Sequence, residues 1–329
     1  MSHIYILGAG ASAGYENTTS DMCPPVASTF FQTVARLLES NNEMNGRRFP
    51  DLWEFLRRYY RVNVENLANC DLDIEEVLTL IDVSGAKPNK ARRQLLDLIA
   101  LTLEKVICRG PCRHHRRLVD GLGPDDAVIT FNWDLLLDNV VASSNPGGPN
   151  YGTNLLEPLS TLNLPQSAEV PKILKLHGSM NWMTCPRCRK SFAHILQGKP
   201  AASYHAGQDV NCRYCNGPTE PLMIPPTLLK NYRHPVIKAV WDEAGRALQQ
   251  ADEITIIGYS LPLTDFKAKW LFMRTSAARK TQLRRLTIID KEPEPVVRRR
   301  LRRRLQSAFH TDDGLVQAIE GSIKDLPEQ

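Results

Sequence analysis

The stretch AVITFNWDLLLDNVV, residues 127–141, contains a complete strand-to-helix unit. Residues 127–131 are apolar apart from Thr130 and predict a buried strand, and the residues from 135 onward predict a helix. Two polar side chains, Asn132 and Asp134, lie where the strand gives way to the helix. Because open parallel sheets bind ligands just beyond the carboxyl ends of their strands, both residues are candidates for a binding site.

The same alternation of short apolar strands and helices recurs on both sides of this unit. Strands are predicted at HIYIL (3–7), KILKLHG (172–178), EITIIGYS (253–260) and RLTIID (285–290). Helices are predicted at 236–250 and 293–309, whereas residues 143–171, rich in Ser, Asn, Pro and Gly, predict a long loop. Short strands that are almost wholly apolar are typical of a parallel sheet covered on both faces. We therefore predict an α/β protein with a doubly wound, Rossmann-like parallel sheet.

Two insertions interrupt this predicted framework. Residues 26–120 carry several helical patterns and predict a helical insertion, and residues 179–219 contain two CxxC pairs and predict a small zinc-ribbon module. The remaining segments, 1–25, 121–178 and 220–329, then form the Rossmann-like core.

Four cysteines have the spacing of a metal site. They form two CxxC pairs with 23 residues between them, and they are Cys185, Cys188, Cys212 and Cys215. Four thiolates complete a tetrahedral zinc site and leave no coordination position for water or substrate, so we predict structural zinc. The alternative is a set of reduced surface cysteines. A second cysteine–histidine run, CRGPCRHH (108–115), also suggests metal but has no partner ligands elsewhere in the sequence.

Composition and charge restrict the function only weakly. The 329 residues include 41 Lys and Arg against 36 Asp and Glu, a net charge of +5 that does not by itself indicate nucleic acid. No apolar run approaches the ~20 residues of a membrane span, and the N-terminus lacks signal-peptide features, so we expect a cytoplasmic protein. The basic run RRRLRRRL (298–305) predicts a solvated helix face over an apolar stripe, with an acidic partner or nucleic acid as the alternative.

Further polar or glycine residues lie at the other strand ends. Gly8 and Gly10 follow the first strand and would let the backbone approach a pyrophosphate, although a simple tight turn is the alternative. His177 closes KILKLHG, and Gly258, Ser260 and Asp290 lie at the ends of two later strands. So many polar strand ends beside a glycine turn are hard to explain by packing alone.

These motifs, in this order, resemble the sirtuin superfamily, over nearly the whole chain from 1 to 329. The resemblance implies that NAD is the substrate and that the bound zinc is structural. It implies that NAD contacts Gly8, Ala9, Gly10, Ser12, Gly258, Ser260 and Asp290. Asn132 would position a water and Asp134 would bind the nicotinamide carboxamide. His177 would be the general base, because a histidine pKa of ~6.5 lies near cellular pH. The structural alternative is that Asn132 caps the following helix.

The departures from the sirtuin pattern concern the acyl-lysine side of the site. The segment after the glycine turn reads GYENTTSDMCPPV instead of Gly-Ile-Pro-Asp-Phe-Arg-Ser. Phe131, Trp133 and Tyr259 replace the usual Gln, Ile and Thr, and Asp290 corresponds to a usual Asn. The pattern resembles the prokaryotic sirtuin-like NAD hydrolases of antiphage defence.

This resemblance implies an NAD+ hydrolase that gives nicotinamide and ADP-ribose. Its activity would be restrained by homo-oligomerisation or by a separately encoded partner such as an ATPase. Two alternatives stay open: an NAD-dependent protein deacylase or ADP-ribosyltransferase, and a non-catalytic zinc-ribbon module that senses a nucleotide.

Overall fold

A six-stranded parallel sheet forms the centre of the protein. The computed structural model describes residues 1–16, 22–40, 48–85, 90–107, 110–145, 147–160, 170–195, 211–224, 227, 230–262, 264–291 and 294–326. The sheet consists of β1 (His3–Leu7), β2 (Ala127–Thr130), β4 (Lys172–Lys175), β8 (Glu253–Ile257), β9 (Arg285–Asp290) and β10 (Val316–Glu320). Their order is β10-β9-β8-β1-β2-β4, and every neighbouring pair is parallel. The order reverses between β1 and β8, as in doubly wound sheets. The predicted fold class is confirmed.

Helices cover both faces of this sheet. The helices are α1 (Ala9–Ser12), α2 (Phe30–Ser40), α3 (Pro50–Tyr60), α4 (Ile74–Val83), α5 (Lys90–Val106), α6 (Arg113–Asp120), α7 (Leu136–Ser144), α8 (Pro235–Gln250), α9 (Phe266–Ala277) and α10 (Pro295–Phe309). Alternate residues of β1 enter different cores. Ile4 and Ile6 share a core with α8, α9 and α10, and Tyr5 and Leu7 share one with α6 and α7. Strands buried on both faces explain the near-continuous apolar runs in the sequence.

Helices α2 to α5 form a separate apolar core. Leu52, Val77 and Ile99 are buried in it, and Leu135 and Met180 join it from the region of the strand ends. The side chain of Asp73 accepts a hydrogen bond from the Glu75 backbone N–H (2.7 Å) and so caps α4. The helical character predicted for 26–120 agrees with these elements. The limits proposed for the domains stay a prediction.

A second, four-stranded sheet carries the cysteine pairs. It consists of β3 (Leu156–Ser160), β6 (Ser191–Ile195), β5 (Gly178–Thr184) and β7 (Glu220–Met223), in that order. The prediction of a loop throughout 143–171 is therefore wrong for β3, an edge strand in which Pro158 is tolerated. Both β3 and β7 lie outside residues 179–219, so this sheet includes strands from either side of the predicted module.

The strand predicted over 172–178 is two elements. It ends at Lys175, and Gly178, with φ of +73°, begins β5 in the other sheet. A Cβ at Gly178 would lie 2.2 Å from the Leu222 carbonyl oxygen, so β5 and β7 approach too closely there for a larger residue. His177 therefore lies in the connection between the two sheets. No helix in the described part of the chain is long and apolar enough to span a membrane.

Candidate functional site

The turn after β1 packs directly on the turn after β8. The Gly8 N–H donates to the Ile257 carbonyl (3.1 Å) and the Gly10 N–H donates to the Gly258 carbonyl (3.0 Å). A Cβ on Gly8 would lie 2.5 Å from the Gly258 oxygen, and one on Gly258, where φ is +57°, would lie 2.4 Å from the Gly10 carbonyl carbon. These glycines are required by the contact between the two turns, whatever binds there. Their predicted role in binding NAD stays a prediction.

Asn132 is tied to that same turn. Its Nδ2 donates to the Gly8 carbonyl and to Ser12 Oγ, both at 2.8 Å, and Ser12 Oγ donates to Asp134 Oδ2 (2.6 Å). The hypothesis that Asn132 caps the following helix is wrong, because α7 begins after Leu135 and the Asn132 side chain is hydrogen-bonded to Gly8 and Ser12 instead. Asp134 Oδ1 accepts the Leu136 N–H (3.1 Å). Within the described ranges, the Asn132 carboxamide oxygen has no hydrogen-bond partner. The network fixes the amide where the strand order reverses.

A buried ion pair, Lys175–Asp138, is hydrogen-bonded to the backbone of the segment that carries Asn132 and Asp134. Lys175, in β4, donates from Nζ to the Asp134 carbonyl (2.6 Å) and to Asp138 Oδ2 (2.8 Å), and both side chains are almost completely buried. Tyr151 donates its hydroxyl hydrogen to Asp138 Oδ1, and Asn181 Nδ2 donates to the Tyr151 oxygen (3.2 Å). Burial and the Asp138 carboxylate raise the pKa of the Tyr151 phenol. This network was not predicted. The one indication of it in the sequence is the lysine inside the apolar run KILKL, because a lysine in a buried strand requires a buried partner.

His177 follows β4 at the same edge of the sheet. The carbonyl of Leu176 accepts the Trp241 Nε1–H, and the His177 carbonyl accepts the Ile224 N–H, each at 2.8 Å. The imidazole lies edge-on to Phe131, with ring centroids 5.1 Å apart. Burial lowers the pKa of His177 to about 4, so the ordinary value assumed from the sequence does not hold. The ring is neutral at neutral pH. That His177 and Asn132 share one pocket stays a prediction.

A second buried charged pair lies beside His177. Lys230 and Asp265 form an ion pair, and each side chain is 3% exposed. Asp265 Oδ2 accepts the Tyr259 hydroxyl hydrogen (2.9 Å), and Tyr259 stacks on Phe131 with centroids 4.1 Å apart. Phe131 and Tyr259, two of the three aromatic departures from the sirtuin pattern, thus contact each other. Neither charged residue was predicted, since only the fold brings them to this edge of the sheet.

The remaining predicted NAD contacts lie at the same edge. Ala9 opens α1, and Asp290 ends β9, where its carbonyl accepts the Gly321 N–H (2.9 Å). Ser260 is exposed, and its carbonyl accepts Arg304 Nη1–H (3.2 Å). Arg304 thereby links the basic helix α10 to the loop after β8. The predicted roles of Ala9, Ser260 and Asp290 in binding NAD stay predictions.

The four predicted zinc ligands come together. Their sulfur atoms all lie within 4.8 Å of one another, with Cys185 and Cys215 3.5 Å apart and Cys188 and Cys212 3.4 Å apart. Tetrahedral zinc with Zn–S bonds of ~2.3 Å requires sulfur separations of ~3.8 Å, so the cluster fits the ion. Within the described residues, no other group of three or more metal-ligating side chains was found; Cys108 lies outside them.

Both CxxC turns have the same backbone structure. The Arg189 N–H donates to the Cys185 carbonyl, and the Asn216 N–H donates to the Cys212 carbonyl, both at 2.8 Å. Arg189 and Asn216 both have left-handed φ angles, of 61° and 53°. Two turns of the same backbone structure therefore bring the four thiols together. Because the four sulfurs fill a tetrahedral shell, zinc here would stabilise the small sheet and take no part in chemistry.

No protein-family model matches the chain, and no curated protein sequence matches it. Among solved structures, it is similar to one described in terms of the mechanism and regulation of Sir2 enzymes, with 16% identity, 98% of this chain and 88% of that chain covered, and a TM-score of 0.45. It is also similar to a Sir2 homologue in complex with NAD, with 14% identity, coverage of 99% and 86%, and a TM-score of 0.42. Likeness at such low identity concerns the fold and does not extend to activity.

Proposed function

We propose that this protein cleaves NAD+ at the nicotinamide–ribose bond and uses water as the acceptor. The observation that carries the proposal is the hydrogen-bonded set Asn132–Ser12–Asp134, which fixes an amide against Gly8 at the reversal point of the sheet. Doubly wound sheets bind nucleotides at that point. The order of motifs shared with sirtuins favours NAD over other nucleotides.

Cleavage of the nicotinamide–ribose bond depends more on the orientation of NAD+ and water than on acid catalysis. Nicotinamide leaves from a ribose that develops oxocarbenium character, and the leaving group already carries positive charge. The carboxamide oxygen of Asn132, to which no described residue is hydrogen-bonded, can hold the attacking water, and neutral His177 can accept the proton of that water. Asp134 would contact the nicotinamide carboxamide. NAD+ and water give nicotinamide, ADP-ribose and one proton.

The test is direct measurement of both products. Purified protein is incubated with NAD+, and nicotinamide and ADP-ribose are quantified by mass spectrometry. Asn132→Ala should lower kcat by ~10²–10³-fold, as expected for loss of one fixed polar group in a transition state. Asn69→Ala, an exposed asparagine at the end of a 3-10 helix, is the matched control and should leave turnover unchanged. Normal turnover by a folded Asn132→Ala protein would contradict the proposal, and nucleotide binding without turnover would favour the sensing module.

Regulation is part of the proposal. An unrestrained NAD hydrolase would exhaust the NAD of its own cell, so we propose an antiphage effector that is restrained until infection. Self-assembly or a separately encoded partner such as an ATPase would supply the restraint. The turnover assay should therefore be run with and without neighbouring gene products, and cellular NAD should be followed during infection. NAD levels that fall equally with and without the intact gene would contradict the defence role.

A further inference from the structure

The imidazole of His177 is enclosed on its Nε2 side. That nitrogen is buried, has no hydrogen-bond partner in the described residues, and lies 3.6 Å from Asp265 Oδ1. The distance is slightly longer than a hydrogen bond, and contacts of this kind in ligand-free sites tighten when substrate binds. No described residue is hydrogen-bonded to Nδ1. The two ring nitrogens thus have different surroundings.

Asp265 is held firmly in this position. Lys230 pairs with Oδ1, the Tyr259 hydroxyl donates to Oδ2, and the Asp265 N–H donates to the Pro262 carbonyl (3.0 Å). Tyr259 in turn stacks on Phe131, whose ring contacts His177. The carboxylate and the imidazole are therefore fixed relative to each other by one set of packed aromatic rings.

We propose that Asp265 is a positioning residue that keeps the imidazole proton of His177 on Nε2, so that Nδ1 is the basic atom that takes the proton of the attacking water. A carboxylate only accepts hydrogen bonds, so the nitrogen that faces it must carry the proton. The role of Nδ1 in the reaction rests on the proposed function. The position of the proton does not, because it is a property of the ligand-free protein.

The groups that face His177 have opposite effects on it. Burial lowers its pKa most, Asp265 raises the pKa, and Lys230 and Lys267 lower it. Glu75, which accepts a hydrogen bond from Thr264 (2.8 Å), also interacts with Lys230 and Asp265. Loss of Asp265 should therefore lower the His177 pKa, and loss of Lys230 should raise it. A general loosening of the site would not move the pKa in two opposite directions.

The first experiment locates the proton. The tautomer of His177 is read from long-range ¹H–¹⁵N correlations of protein labelled with ¹⁵N-histidine, and the resonances are assigned by their loss in His177→Gln. We expect the proton on Nε2 in the unsubstituted protein and a mixture of tautomers in the double variant Lys230→Met/Asp265→Asn. The double variant removes both charges of the Lys230–Asp265 pair together, so it keeps the test valid if either single variant fails to fold. A proton on Nδ1, or an unchanged Nε2 tautomer in the double variant, would overturn the inference.

The second experiment follows the pH dependence of NAD+ cleavage. The acidic limb of kcat/KM should move to lower pH in Asp265→Asn and to higher pH in Lys230→Met, and kcat of the double variant should fall at least about tenfold. Shifts in the same direction, or none, would overturn the inference. The control is the ion pair between Lys172 in β4 and Glu243 in α8, replaced as Lys172→Met/Glu243→Gln, which should leave the tautomer and the pH profile unchanged. If the protein does not cleave NAD+ at all, the proposed function fails and the tautomer measurement still decides this inference.

Discussion

Lys172 and Lys175 lie in the same strand in opposite environments. Lys172 is half-exposed and pairs with Glu243 at 2.7 Å, whereas Lys175 is buried and bridges Asp138 and the Asp134 carbonyl. Lys175→Met should lower the free energy of unfolding by about 3–5 kcal/mol, because it leaves the Asp138 carboxylate buried without its partner. Lys172→Met should cost less than ~1 kcal/mol. Urea denaturation followed by circular dichroism measures the free energy of unfolding of both variants. Equal losses of stability would show that the buried Lys175–Asp138 pair does not stabilise the segment that carries Asn132.

At the residue scale, the sequence singled out candidate site residues that lie close in the chain to a strand end, and their roles stay a prediction. Asn132, Asp134 and Ser12 are joined by hydrogen bonds, and each lies within a few residues of the end of a recognisable strand. Lys230 and Asp265 could not be predicted, because they follow loops and reach His177 only through the packing of α9 and Tyr259. The low pKa of His177 escaped prediction for the same reason, since burial is a property of the assembled fold.

The cysteine cluster packs against the small sheet. Its local core contains Phe192 packed against Cys185 and Cys212. We predict one zinc per chain by elemental analysis of pure protein. Chelation or Cys185→Ser should accelerate amide hydrogen exchange in β5 and β6 by about tenfold or more, because metal binding closes the loop between the two CxxC turns. Cys23→Ser, at an exposed cysteine, is the matched control. A folded, metal-free protein with unchanged exchange would contradict the zinc assignment.

At the element scale, the strands with a nearly continuous apolar run were predictable, and two strands without such a run were not. The strands of the central sheet that lie between two neighbours are mostly apolar and buried, so the sequence identified β1, β2, β8 and β9. The prediction missed β10, whose residues VQAIE are half-exposed or exposed at the end of the sheet. It also missed β3, because Pro158 and the polar residues around it favour a loop. β4 also lies at an end of the central sheet, but three of its four residues are buried, so its apolar pattern was recognisable.

At the scale of the whole molecule, the proposed reaction predicts the fate of the ribosyl intermediate. Once nicotinamide leaves, the ribosyl intermediate can be captured by water, by a substrate side chain or by an acetyl oxygen. Phe131 and Tyr259 stack together near His177, so bulky aromatic rings occupy two positions where the sirtuin pattern has Gln and Thr. The chain also lacks the Phe-Arg pair of that pattern after its glycine turn. We therefore expect water to be the main acceptor.

This expectation is tested by supplying NAD+ together with a mixture of acetylated peptides and quantifying every product by mass spectrometry. Free ADP-ribose should match nicotinamide mole for mole, and the peptides should keep their acetyl groups. Asn132→Ala should abolish both nicotinamide and ADP-ribose together, since both come from the same bond cleavage. If deacetylated peptide and acetyl-ADP-ribose accumulate in step with nicotinamide, then the aromatic pair does not exclude an acyl-lysine. The protein would then be a deacylase, and the proposal of NAD+ hydrolysis would be wrong.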